Sequence, residues 1–112
     1  AHVGEASMID FRHVCRFVAG LDGGVWINVG CAVVLPEVFL KAVTVAIHLG
    51  HSLDGMTTAN LDMLRQYRAE TNVVRRPPGR GISILGQHEL MLPRLRCAVL
   101  ARLARGERGG AR

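Results

Sequence analysis

"VWINVGCAVVLPEVFLKAVTVAIHLG", residues 25–50, is the stretch whose reading decides the fold. Val25–Val29 is an apolar run rich in β-branched residues and without clean alternation, which is how a strand covered on both faces reads. A glycine turn follows at Gly30-Cys31-Ala32. Pro36, with a φ suited to a first helical turn, then opens a helix that Gly50 stops. This helix is apolar almost all round except for Glu37, Lys41, Thr44 and His48, spaced four, three and four. Such a pattern implies a helix packed on a sheet and covered again by another layer or subunit. The polar seam is either an ordinary solvent stripe, with Glu37 and Lys41 as a favourable i,i+4 pair, or the border of a ligand cleft.

The flanking sequence supplies the other elements. Asp10 reads as the N-cap of a helix over "FRHVCRFVAG", with Phe11, Val14, Cys15 and Val18 on one face. "MTTA", residues 56–59, reads as a second strand, and "NLDMLRQYR" as a short helix capped by Asn60. A strand at 72–75 is broken by Pro77 and Pro78. "ISILG", residues 82–86, is a further strand, and "QHELMLPRLRCAVLARLAR" is a final helix with Pro93 near its first turn. Strand, crossover helix and strand in this order predict an α/β fold, a parallel sheet with flanking helices. Residues 1–105 are expected to form one domain portion, and 106–112 a flexible basic tail.

Composition narrows the function classes. At 112 residues and 49% hydrophobic content, the chain has enough apolar material for one core. No apolar run reaches the ~18 residues of a membrane span, so no membrane partner is expected. Cys15, Cys31 and Cys97 are odd in number and far apart, which supports neither a disulfide framework nor a metal centre and fits a reducing cytoplasm. The net charge of +5 is confined to the end of the chain, where six arginines from Arg94 onward face one acid, Glu107. With aromatics at 4% and none beside those arginines, base stacking has no platform, and no nucleic-acid partner is expected.

Ligands of open α/β sheets sit beyond the carboxyl ends of strands. Two such ends carry suitable residues: Asn28-Val29-Gly30-Cys31-Ala32, and Thr57-Thr58-Ala59-Asn60 with Asp62, whose hydroxyls, amide and carboxylate suit ribose or phosphate. Each is also what a plain capped turn looks like. Gln87-His88-Glu89 forms a third polar cluster, and His48 with His51 has an HxxH spacing without a third ligand.

Three segments, "GGVWINVGCAVVLPEVFLKAVTVAIHLG", "TTANLDM" and "GQHELMLPRL", resemble the C-terminal part of deoxyhypusine synthase, most closely the bacterial deoxyhypusine synthase-like proteins. The resemblance spans about Asp10 to Leu100. It implies a Rossmann-like NAD-binding fold, a homotetramer with shared active sites, and an amine or polyamine substrate. Carried over residue by residue, it places cofactor contacts at Thr58, Ala59, Gln87 and His88, and substrate contacts at Gly30 and Glu37. Family members run to several hundred residues, so the chain is expected to be a C-terminal fragment. The family's catalytic lysine lies in a Trp-Gly-Lys segment shortly before the last strand. Here that segment is "RGISI", residues 80–84, and the one lysine, Lys41, lies on another element. No catalytic residue is therefore assigned. The alternative is a nucleotide-binding or structural module of the same fold without the chemistry.

Overall fold

A computed structural model describes residues 2–106, so the tail expected at 106–112 lies outside the described residues beyond Gly106. Three parallel strands form the sheet in the order β1 (Val25–Val29), β2 (Thr57–Asp62), β3 (Arg80–Leu85). Before β1 runs α1 (His2–Ala19), and α2 (Val34–His48) connects β1 to β2. The second crossover is α3 (Tyr67–Ala69), which continues without a break as a π-helical segment, Glu70–Arg75. After β3 comes α4 (His88–Ala104). The α/β, parallel-sheet expectation is what the structure shows.

One face of the sheet carries the core. Trp26 of β1 stacks on Phe39 of α2 with ring centroids 4.6 Å apart. Phe39, Ala42, Val43 and Ala46 of α2 are buried together with Val18, Leu53, Met56 and Val73. The second layer over α2 is α1, whose Phe11, Val14 and Cys15 pack against this cluster as the periodicity predicted. Lys41, Thr44 and His48 of the α2 seam face solvent, while Glu37 turns partly inward. The Glu37–Lys41 pair does not form. Glu37 accepts a hydrogen bond from Asn72 instead.

Several boundaries differ from expectation, each for a local reason. α1 begins at His2, so Asp10 is an exposed mid-helix residue rather than a cap. Neither Pro nor Gly interrupts the chain between Glu5 and Ala19, and Ala6 and Met8 favour helix. β2 continues through Asn60 to Asp62, because Asn60 is paired from its side chain and Leu61 is buried between two strands. Residues 72–75 are π-helical, with Arg76 N–H reaching back five residues to the Thr71 carbonyl. Parallel neighbours need a covering crossover, and Val73 supplies its buried contact. β1 is an edge strand covered on one face only, its Val25, Ile27 and Val29 being exposed. The central β2 is the strand buried on both faces. Pro93 stands at the sixth position of α4, past the first turn, where its missing N–H removes the bond to the Glu89 carbonyl.

Candidate functional site at the carboxyl ends of the strands

A polar row crosses the covered face of the sheet. Asn28, Asn60 and Ser83 occupy one register line on the three strands. Asn28 Nδ2 donates to Asn60 Oδ1 at 2.7 Å and to the Cys31 carbonyl at 2.9 Å. Asn60 Nδ2 donates to Glu70 Oε2 at 3.3 Å, and Ser83 Oγ donates to the same oxygen at 2.8 Å. One layer above, Asn72 Nδ2 donates to Glu37 Oε1 at 3.0 Å. Asn28, Asn60 and Asn72 are buried, and buried amides are retained only when bonded. Both carboxylates, Glu37 from the first turn of α2 and Glu70 from the start of the π-helical segment, are half-buried. Neither joins an ion pair among the described residues. π-Helical turns are uncommon and recur at functional sites, and this one carries Glu70 and Asn72 side by side with the row.

A second group gathers where β1 and β2 end. Gly30 takes φ +65°, a conformation a β-carbon resists, and a Cβ there would come within 3.2 Å of the His88 Cε1. His88, the first residue of α4, thus lies over the glycine turn. Its Nε2 is 3.8 Å from Asp62 Oδ1, too long for a hydrogen bond, and is buried with no partner. Asp62 Oδ1 also accepts the Met63 N–H at 2.7 Å. Cys31 follows Gly30, and its Sγ accepts the Leu35 N–H at 3.4 Å, inside the first turn of α2.

The expected site residues divide accordingly. Gly30 and His88 meet, with Gln87 exposed beside them at the N-cap of α4. Glu37 stands on the other side of the row with Asn72. Thr58 and Ala59 lie within β2 and are buried, the Thr58 hydroxyl donating to the Val73 carbonyl at 2.6 Å. His48 and His51 are exposed near the end of α2, away from the glycine turn. Sequence reading missed Glu70, Asn72 and Ser83. The available signal was an asparagine in each of two apolar strands, which calls for a partner carrying hydrogen-bonding groups. No protein-family model, curated protein or solved structure matches the chain.

Proposed function

We propose that the chain is a Rossmann-like, deoxyhypusine synthase-like portion of an NAD-binding protein that takes an amine or polyamine-type substrate. The supporting observation is the charge of the polar row. Glu37 and Glu70 are oriented by amide and hydroxyl donors and, among the described residues, neutralised by no cation, which leaves net negative charge for an ammonium ligand. The residues also fit a dinucleotide. A glycine turn leads into α2, where the Leu35 N–H is taken by Cys31 Sγ and Pro36 carries none, so Val34 offers the one first-turn amide for a phosphate oxygen. Asp62 ends the neighbouring strand, where an acid suits ribose hydroxyls, and the orphaned Nε2 of His88 faces the same oxygen. Gln87 and His88 would flank the ribose. Thr58 and Ala59 would shape the strand behind it. When bound, the nicotinamide would supply a hydride acceptor, and Glu37 and Glu70 would hold and orient the substrate ammonium. The one lysine, Lys41, follows Glu37 by a turn of α2 but is exposed to solvent, so no imine to the protein is part of this reading. That same observation favours, as a second reading, a nucleotide-binding module without turnover.

Calorimetric titration of the intact protein with NAD and with spermidine tests the proposal. Glu37→Gln and Glu70→Gln should each weaken spermidine binding about tenfold or more while NAD binding is kept, since a charge-assisted hydrogen bond is worth ~1.5–3 kcal/mol. Spermidine affinity unchanged from the wild type in both variants would overturn it. NAD reduction on adding spermidine separates the enzyme from the binding module. Borohydride trapping with labelled spermidine should leave Lys41 unmodified.

A further inference from the structure

The opposite face of the sheet has a different character. A cleft of about 230 Å³ lies between that face and α4, lined by Ile27, Leu61, Ile84, Met91, Arg94 and Leu95. One wall is sheet and the other is the first half of α4, a helix with no buried residue. Arg94 is the one charged residue of the lining and has no partner among the described residues. We propose that this cleft binds a single-chain aliphatic carboxylate, with its tail against Ile27, Leu61 and Ile84 and its carboxylate on the Arg94 guanidinium. The proposal uses none of the polar-row residues and does not depend on the function proposed above.

Three features point to this class of ligand. The lining is aliphatic apart from Arg94, so the buried part of the ligand must be apolar. A single guanidinium at the cleft calls for one anionic head, and its planar fork matches a carboxylate. A methylene takes about the space of a water, ~30 Å³, so the volume suits a chain of roughly eight carbons. Met91, unbranched and adaptable, lets this wall of the cleft fit chains of differing length. A second copy of the chain is a poorer occupant. It would have to insert between the protein's own helix and sheet, and an approaching α4 would bring Arg96 and Arg102 toward Arg94.

Calorimetry of the full chain with octanoate, octanol and octylamine tests the proposal, together with a series from hexanoate to decanoate. Octanoate should bind best, with affinity rising about fourfold per methylene up to roughly eight carbons and then levelling. Arg94→Gln, at an exposed position, should weaken octanoate at least tenfold and leave octanol unchanged, removing the preference between them. Leu95→Trp, filling the cleft, should weaken both without lowering the melting temperature. Octylamine binding as well as octanoate, or no octanoate binding at millimolar concentration, would overturn the assignment. So would a ligand-free dimer, seen by sedimentation, that Leu95→Trp dissociates, because a second copy would then be the occupant.

Discussion

Removing the amide of Asn60 would strand two groups at once: the Asn28 Nδ2, which donates to it, and the Glu70 carboxylate, which accepts from it. Asn60→Leu fits the volume but leaves both partners one bond short, Asn28 keeping the Cys31 carbonyl and the half-buried Glu70 keeping the Ser83 hydroxyl. The expected loss is ~2–4 kcal/mol in urea unfolding, the range for unsatisfied buried groups. A change under 1 kcal/mol would mean that the row relaxes or admits water. Gly81 poses a steric question instead. A Cβ there would collide with the Val74 carbonyl of the π-helical segment, a backbone atom that cannot rotate away. Gly81→Ala should therefore destabilise by ~3 kcal/mol, near the upper end for overpacking. Gly30→Ala joins a positive φ to the His88 contact, so its first sign should be a shift of the His88 imidazole resonances as the ring is pushed off the turn.

Among the elements, α2 and α4 form a contrast. Both are long and leucine- or valine-rich, yet α2 buries five residues and α4 none. Phe39→Ala on α2 removes a fully buried ring stacked on Trp26 and should cost ~3–5 kcal/mol. In α4, Pro93 removes a helical hydrogen bond, and the leucines and arginines are spread round the helix rather than sorted to opposite faces. Native-state hydrogen exchange should find the α4 amides opening at a much lower free energy than those of α2 and β2. Equal protection would show that α4 is docked by more than the contacts described. The same low sorting argues against α4 lying on a membrane surface, which needs an apolar face opposite a basic one.

For the whole molecule, the apolar surface left open is the dominant feature. Val3, Met8 and Phe17 on α1, Val25 on the edge strand, and Leu90 and Leu103 on α4 are all more than half exposed. Single exposed apolar residues are ordinary, but this many large ones on two helices and a sheet edge give area for contact with a further copy. The homo-oligomer expected from the sequence stands as a prediction on this ground. Sedimentation should give a mass above the monomer that Phe17→Glu with Leu103→Glu reduces, without loss of the thermal transition. A monomer at every concentration, unfolding cooperatively, would count against it.

Local sequence was enough for the parallel α/β class, since "VWINV", a glycine turn and a long apolar helix from Pro36 leave few alternatives once a second strand follows. It was also enough for the core face of α1 and for Gly30 as a turn needing glycine. What it could not determine was how far each strand runs and what lies over it. Asn60 and Val73-Val74 are the examples. An asparagine after a strand serves equally as a helix cap or as a buried rung, and a pair of valines as strand or crossover. Only the Asn28 side chain on one neighbour and Glu70 on another decide the first case, and only the burial of Val73 against β2 decides the second. Glu70, Asn72 and Ser83 belong to the site for the same reason. They are 33 to 55 residues from Asn28 or Glu37 along the chain, and parallel pairing with its crossovers is what brings them together. Periodicity reports which residues prefer to leave water. Which polar groups then meet is fixed by long-range packing, to which no local window has access.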